Sequence, residues 1–157
     1  MLGYYLAAAT ALSFLAGARA QLESHQVTFV NNCGYGTPLF SYQLNNTAQG
    51  ATTISGEVNG GIAWLGDQGG CEASGVNCTA VEFALQNTGY SQAIINLIHT
   101  EGHVYTYPIA FNFTGGCSNG LVCDSSTCPD AAYNSAQLLP MPQQCAADNC
   151  GINIQFC

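Results

Sequence analysis

Nine cysteines in a chain of 157 residues constrain the fold more than any other feature of this sequence. This density is typical of exported domains, whose disulfides form in an oxidising compartment. Zinc is the alternative, but the chain has no C-x-x-C pair and its three histidines lie far from the cysteine cluster in sequence. We therefore predict a disulfide framework with no metal and no other cofactor. Because nine is odd, at least one thiol stays free or pairs with another chain.

The first 20 residues have the features of a secretory signal. Residues 6–15 are a short apolar run, and Ala18-Arg19-Ala20 is a small-x-small cleavage site. The run is too short to span a bilayer, because a spanning helix needs about 20 apolar residues. A buried N-terminal helix is the alternative. We expect the leader 1–20 to be removed, and residues 21–157 to form a single extracellular domain.

Charge excludes two classes of partner. The sequence holds nine acidic residues and one basic residue, Arg19, which lies in the predicted leader. Nucleic-acid binders and polybasic membrane-binding segments owe most of their affinity to Lys and Arg. We therefore expect an acidic protein with no nucleic-acid partner and no membrane partner. It should be a monomer unless the odd cysteine joins two chains.

The pattern of apolar residues along the chain predicts an all-β fold. Short runs rich in β-branched and aromatic residues alternate with clusters of Gly, Asn, Ser and Thr, which favours an antiparallel sandwich or barrel. The predicted strands are 27–30, 38–44, 62–65, 81–85, 93–98, 104–113 and 152–156. Only 129–138 and 143–148 favour short helices. The segment 115–150 holds five cysteines and few apolar residues, so we expect a disulfide-tied lobe on the sandwich.

Three N-x-[ST] sequons, at Asn45, Asn77 and Asn112, agree with a secreted glycoprotein. Asn45 is the strongest candidate. Early bridging of Cys78 would leave Asn77 without sugar, and Asn112 lies in a strand-like run where only an outward side chain could carry a glycan.

The order of several motifs resembles the thaumatin-like proteins, and especially their short fungal relatives. The matching pieces span nearly all of the mature chain in family order. They are 29–35 (Phe-Val-Asn-Asn-Cys-Gly-Tyr), 64–71 (Trp-Leu-Gly-Asp-Gln-Gly-Gly-Cys), 81–85, 95–98, 115–117, Cys128-Pro129 and Cys157.

This resemblance implies a β-sandwich with disulfide-rich loops and a specific set of bridges. It implies that Cys33 pairs with Cys157 and joins the two chain ends. It also suggests Cys71 with Cys78, and Cys128 with Cys145. Cys117, Cys123 and Cys150 stay unassigned.

The resemblance also implies an acidic cleft, because larger family members build one from an Arg, a Glu and several Asp, and some bind or slowly cleave β-1,3-glucan. Glu82 matches the cleft Glu, but the mature chain has no Arg and the family's Asp positions are not kept. Glycosidic cleavage ordinarily needs two carboxyl groups about 5 to 9.5 Å apart, and Glu82 with Glu101 or Asp67 could supply them. The alternative is that Glu82 is a solvated residue on the outer face of a strand.

Sugar binding without catalysis requires no pair of carboxyl groups. It requires aromatic side chains that stack on pyranose rings and polar groups that hydrogen-bond the hydroxyls. The candidate aromatic residues are Tyr35, Tyr42, Trp64, Tyr105 and Tyr107. The alternative is that these side chains pack the core or a cross-strand ladder. We expect a non-catalytic module for cell-wall glucan or another neutral polysaccharide. A weak endo-β-1,3-glucanase, or a defence or effector-like protein that binds a protein partner, are the alternatives.

Overall fold

The computed structural model describes residues 22–43, 45–134 and 141–157, so the predicted leader 1–20 lies outside the described residues. Eleven strands and two short 3₁₀ turns, Ala73–Gly75 and His99–Glu101, occur in this part of the chain. The strands are β1 (Ser24–Asn31), β2 (Thr37–Tyr42), β3 (Asn45–Gln49), β4 (Thr52–Ser55), β5 (Val58–Gly66), β6 (Ala80–Leu85), β7 (Ser91–Asn96), β8 (Ile109–Thr114), β9 (Gly120–Cys123), β10 (Gln143–Cys145) and β11 (Gly151–Phe156).

The strands form two sheets, and the predicted all-β, mostly antiparallel class is confirmed. The five-stranded sheet has the order β4-β1-β11-β8-β9, and the six-stranded sheet has the order β10-β7-β6-β5-β2-β3. Only β1 and β11 pair in parallel among these strands, with Val27 opposite Ile152. The two ends of the described chain therefore lie side by side in the middle of one sheet.

Side-chain alternation builds the core between the sheets. On β6, Val81, Phe83 and Leu85 are buried in the core cluster, while the residues between them point to the other face. The Phe40 ring, on β2, lies with its centroid 6.0 Å from the Phe83 ring and 6.0 Å from the Phe29 ring of the opposite sheet. These aromatic contacts join the two inner faces, as expected for a sandwich.

The segment 104–108 departs from the predicted strand 104–113, because strand β8 begins only at Ile109. Tyr107 is 1% exposed, and its hydroxyl donates to the Thr79 carbonyl and accepts from the Leu65 amide at 2.9 Å. Burial raises the pKa of the Tyr107 hydroxyl. Side-chain bonds to neighbouring backbone, in place of a ladder, therefore hold this segment.

Three disulfides tie the sandwich. Cys33–Cys157 and Cys71–Cys78 form as the family resemblance implies. The implied pairing of Cys128 with Cys145 is wrong, because Cys145 bonds to Cys117, with a Cα separation of 5.8 Å.

The reason for the Cys117–Cys145 pairing lies in the approach of two segments. Asn119 Nδ2 donates to the Gln144 carbonyl at 3.1 Å and to Gln143 Oε1 at 3.3 Å. These bonds bring the turn before β9 against β10, which ends at Cys145. Cys117 and Cys145 therefore lie in two segments that contact each other, a proximity that the sequence spacing does not show.

The two predicted helices are not formed in the described residues. Residues 143–145 are strand β10, which pairs antiparallel with β7, so the helix predicted at 143–148 is wrong. Residues 129–134 contain turns and a single bridge, from Ala132 to Asn96, and the remainder of the predicted helix 129–138 lies outside the described residues. No helix within 22–43, 45–134 and 141–157 is long and apolar enough to cross a membrane.

Candidate functional site

A groove crosses the outer face of the six-stranded sheet. It is a partly open cavity of about 450 Å³ over β5, β6 and β7, a size that falls in the range of small-molecule sites. Its lining consists of Gly60, Gly61, Ile62, Glu82, Phe83, Ala84, Gln92, Ala93, Ile94 and Pro142. Glu82 is the single charged residue in this lining, and Gln92 is the single amide.

The glycines of β5 shape one wall of the groove. The register of β5 with β6 shifts between Val58 and Gly61, and Gly60 has a φ of +58°, a conformation that favours glycine. A Cβ at Gly61 would lie 2.6 Å from the Phe83 ring. Both glycines therefore line the groove with backbone atoms alone, and the missing side chain of Gly61 makes room for the Phe83 ring of the core.

Asn96 brings two of the candidate carboxylates together. It is fully buried at the end of β7, and its Nδ2 donates to Glu82 Oε1 at 2.7 Å and to Glu101 Oε2 at 3.0 Å. Because both oxygens bond one nitrogen, the two carboxylates are close neighbours. Glu82 is half-buried beside the groove, whereas Glu101 is exposed. The pair could therefore act on a bond placed beside it, or hold a ligand hydroxyl.

The surrounding backbone fixes the position of Asn96. Its Oδ1 accepts from the Ile98 amide at 2.7 Å. Ala132 adds a short parallel bridge at the edge of the strand, through the Leu97 amide to the Ala132 carbonyl at 2.8 Å and the Ala132 amide to the Ile95 carbonyl at 2.8 Å. Glu101 arrives from the 3₁₀ turn. The Asn96 side chain is therefore held by its bonds to the Ile98 amide, Glu82 and Glu101, and the bridge to Ala132 holds the adjacent backbone.

Asp67 does not join this pair. It is exposed just after β5, outside the groove lining, and it accepts a bond from Thr37 Oγ1 at 2.8 Å. Of the three carboxylates that sequence reasoning selects, the structure therefore brings together Glu82 and Glu101 alone.

Two of the candidate aromatic residues lie in the interior. Trp64 is 3% exposed, and the loop at Gly75 covers it, because a Cβ at Gly75 would lie 3.0 Å from the Trp64 Cβ. Tyr107 bonds backbone groups inside the sandwich, as described above. The packing alternative therefore holds for both residues.

The other three candidate aromatic residues are more accessible but lie outside the groove lining. Tyr42 is half-buried and stacks on Phe40 at a centroid distance of 5.9 Å. Tyr105 is half-buried, and burial raises its pKa. Tyr35 is 49% exposed in the loop after β1. A sugar in the groove would therefore rest on aliphatic side chains.

The sequons differ in accessibility. Asn77 is exposed, and the adjacent Cys78 is bridged to Cys71. Asn112 lies on the outer face of β8, half-buried, and its Oδ1 accepts from Asn153 Nδ2 at 3.3 Å. Asn45 begins β3, and its side chain lies outside the described part of the structure.

Two comparisons with known proteins found no match for this chain. Models of known protein families do not match the chain, and a search of curated proteins finds no match. Within the described ranges, no group of three or more His, Cys, Asp or Glu side chains is arranged to hold a metal ion. The resemblance to thaumatin-like proteins therefore remains an expectation that rests on the order of motifs.

Proposed function

We propose that residues 21–157 are a secreted, thaumatin-like module that binds a neutral polysaccharide, such as cell-wall β-glucan, in the groove over β5, β6 and β7. The observation that carries this proposal is the lining of the groove, which combines an aliphatic floor with Gln92 and Glu82 as its polar side chains. Such a combination is typical of pockets in which a few polar groups orient a largely apolar contact.

The chemistry of the groove matches a sugar without charge. Ile62, Ile94 and Pro142 offer aliphatic surface to the C–H face of a pyranose ring. Gln92 can both donate to and accept from hydroxyls, and the Glu82 carboxylate accepts from them more strongly than a neutral group does. An anionic polysaccharide would meet Glu82 and Glu101 without any Lys or Arg to offset them.

Co-sedimentation with insoluble β-1,3-glucan tests the proposal. Gln92→Ala removes one hydrogen-bonding group, worth about 1 kcal/mol, so retention should weaken about fivefold. Glu82→Gln keeps an acceptor for Asn96 but removes the charge, and should weaken retention about tenfold. Gln26→Ala is the matched control, because Gln26 is an exposed strand residue on the other sheet.

Two results would contradict groove binding, and a third would contradict a neutral ligand. The first is equal retention of the wild type and both groove variants. The second is a loss of retention in Gln26→Ala as large as in Gln92→Ala. Retention that disappears in moderate salt would indicate an ionic contact, which also contradicts binding of a neutral chain.

Hydrolysis is the second candidate, because Glu82 and Glu101 share the Asn96 amide. Retaining glycosidases place their two carboxyl groups about 5 to 5.5 Å apart, so close neighbours suit that mechanism. Release of reducing ends from soluble β-1,3-glucan would support it if both Glu82→Gln and Glu101→Gln abolish the product. Retention without product supports the binding module. Neither retention nor product favours the third class, a defence or effector-like protein with a protein partner.

A further inference from the structure

Three cysteines carry no disulfide in the structure: Cys123, Cys128 and Cys150, all of them buried. Cys123 ends β9 opposite Ile109 and is 0% exposed. Cys128 follows after a four-residue turn and is 2% exposed. Two of the three thiols therefore lie in the same corner of the core.

The turn between Cys123 and Cys128 folds back on itself. The Cys128 amide donates to the Ser125 carbonyl at 3.3 Å, and the Cys128 thiol donates to the Val122 carbonyl at 3.6 Å. The Cys123 thiol donates to the Ser125 carbonyl at 3.5 Å. These contacts place the Cys128 thiol against the residue next to Cys123.

The two thiols are close neighbours in this turn. Both sulfur atoms contact backbone carbonyls of the same short segment, Cys123 at Ser125 and Cys128 at Val122. Burial raises the pKa of the Cys123 thiol to about 12, and the neighbouring Cys128 adds to the rise. A local rearrangement of the two side chains could therefore bring the sulfur atoms to bonding distance.

Cys150 has different neighbours. Its thiol donates to the Gly151 carbonyl at 3.4 Å. It is fully buried before β11, and burial raises its pKa. The observed partner of the Cys150 thiol is therefore a backbone oxygen, not another sulfur.

We propose that Cys123 and Cys128 form a fourth disulfide in the exported protein and that Cys150 is its single unpaired thiol. This assignment accounts for all nine cysteines, with four bridges and one free thiol. It does not depend on the proposed polysaccharide binding.

The oxidant in this step is a small disulfide of the glutathione class. One cysteine thiolate attacks that disulfide, so that a mixed disulfide forms and one small thiol leaves. The second cysteine thiolate then attacks the mixed disulfide and releases the second small thiol. Two electrons pass from the protein to the oxidant, and the two protons end on the released thiols. Because both cysteines are buried after folding, the exchange takes place before the segment 124–132 docks.

The bridge would stabilise more than its own turn. Residues 128–132 run from Cys128 to Ala132, which pairs with the end of β7 at Asn96. A Cys123–Cys128 bond would anchor this segment to β9 on one side while Ala132 holds it on the other. The backbone that supports the Asn96 carboxylate pair would thus be covalently fixed.

Thiol counting tests the assignment. Protein exported from an oxidising host is unfolded without reductant in the presence of N-ethylmaleimide, and its intact mass gives the number of labels. We expect one label in the wild type, two in Cys123→Ser and none in Cys150→Ser. Three labels in the wild type, no label, or a label on Cys123 or Cys128 would overturn the proposal. Because labelling is read on unfolded chains, the burial of a thiol does not affect the count.

A peptide map of the wild type gives an independent answer. Cleavage before Asp124 and before Asp130 releases residues 124–129, which hold Cys128 alone. A second cleavage after Leu121 separates Cys123 from Cys117. Without reductant, we expect peptide 124–129 to remain joined to the fragment that holds Cys123 and to separate from it on reduction. Recovery of 124–129 as an alkylated free peptide, or joined to another fragment, would refute the bridge.

Discussion

Asn96→Asp is the substitution that tests the candidate site with the least change in shape. In the wild type, the Asn96 amide nitrogen donates to Glu82 at 2.7 Å and to Glu101 at 3.0 Å. In the variant, an acceptor oxygen takes the place of that donor. Two carboxylates, half-buried Glu82 and exposed Glu101, then face a third carboxyl group at the buried position 96, and the sequence after Arg19 holds no Lys or Arg to offset them.

The expected loss follows from two terms. Each hydrogen bond to a charged acceptor contributes about 1.5 to 3 kcal/mol, and the bond to the exposed Glu101 is discounted because solvent screens it. Two like charges 4 Å apart repel by about 4 kcal/mol at an effective dielectric constant near 20, so the new carboxyl takes up a proton instead of ionising. We expect the variant to be less stable by about 3 kcal/mol at pH 7, a large part of the 5 to 15 kcal/mol of a typical domain.

The loss should depend on pH in a defined direction. Burial and the neighbouring carboxylates raise the native pKa of the introduced group above its unfolded value of about 3.9. Below about pH 4 the introduced carboxyl is protonated in both the native and the unfolded state, so this part of the destabilisation is absent. As the pH rises towards the native pKa, the group ionises in the unfolded state alone, and the destabilisation grows.

Urea unfolding at pH 4 and pH 7, followed by the fluorescence of the single Trp, Trp64, measures both effects. The matched control is Asn59→Asp, since Asn59 is exposed and donates to Glu57 Oε2 at 2.9 Å. There the same exchange of amide for carboxyl occurs in solvent and should cost less than about 1 kcal/mol. An Asn96→Asp loss below about 1 kcal/mol at pH 7, or an equal loss at both pH values, would refute the reasoning.

Three further predictions concern the scaffold. Tyr107→Phe removes the hydroxyl that bonds two buried backbone groups, and it should lower the free energy of unfolding in urea by about 2 kcal/mol. The control, Tyr90→Phe, lies at a site 56% exposed and should change this free energy by less than about 0.5 kcal/mol. Equal effects of the two substitutions would contradict the assigned hydrogen bonds. A side-chain bond with His25 and then a backbone amide lower the pKa of Glu23, so its contribution is present above its ordinary pKa and lost as the pH falls through the native pKa. The urea midpoints of the wild type and Glu23→Gln should therefore converge in acid, and a gap unchanged by acid would argue against this. Cys157→Ser opens the bridge that joins the chain ends and should lower stability by about 4 to 5 kcal/mol in thermal melting; a melt like that of the wild type would count against chain-end closure.

The sequence predicts the central strands and misses the edges of both sheets, for one physical reason. The four strands without a predicted counterpart are β3, β4, β9 and β10, and these are the four edge strands. A central strand buries one face and so carries the alternation that sequence reasoning detects. Edge strands such as Thr52–Ser55 and Gln143–Cys145 are short and mostly polar, because solvent covers much of them. Their pairing depends on the neighbouring strand more than on their own composition.

The candidate site is predictable in part. Glu82 follows from the resemblance to the thaumatin-like proteins, and Glu101 is one of the two carboxylates considered as its partner. Asn96 is missed, because it lies within the apolar run predicted as strand 93–98 and carries no charge that would mark it as a site residue. The signal that could have found it is its position, since Glu82 and Asn96 both lie at outward positions of neighbouring strands. At Tyr107 the sequence predicts regular structure that does not form. Alternation predicts a strand over 104–113, but strand β8 begins only at Ile109, and Tyr107 lies in a loop that bonds Thr79.

Neutral side chains and backbone amides donate hydrogen bonds to the carboxylates of this chain. These bonds explain how an acidic domain without Lys or Arg can fold. Four carboxylates accept from Asn side chains, among them Glu82 and Glu101, which share Asn96, and others accept from a hydroxyl or a backbone amide. The pairs are Glu57 with Asn59, Glu72 with Asn77, Glu82 with Asn96, Asp67 with Thr37 and Glu23 with the Asn87 amide. An amide donor keeps its protons over the whole range in which a carboxylate titrates, so protonation of these carboxylates leaves no unpaired cation behind, except at Glu23, which also bonds His25. Charge attraction therefore contributes little to this fold, and we expect reduction of the disulfides to unfold it under mild acid conditions that leave the oxidised protein folded.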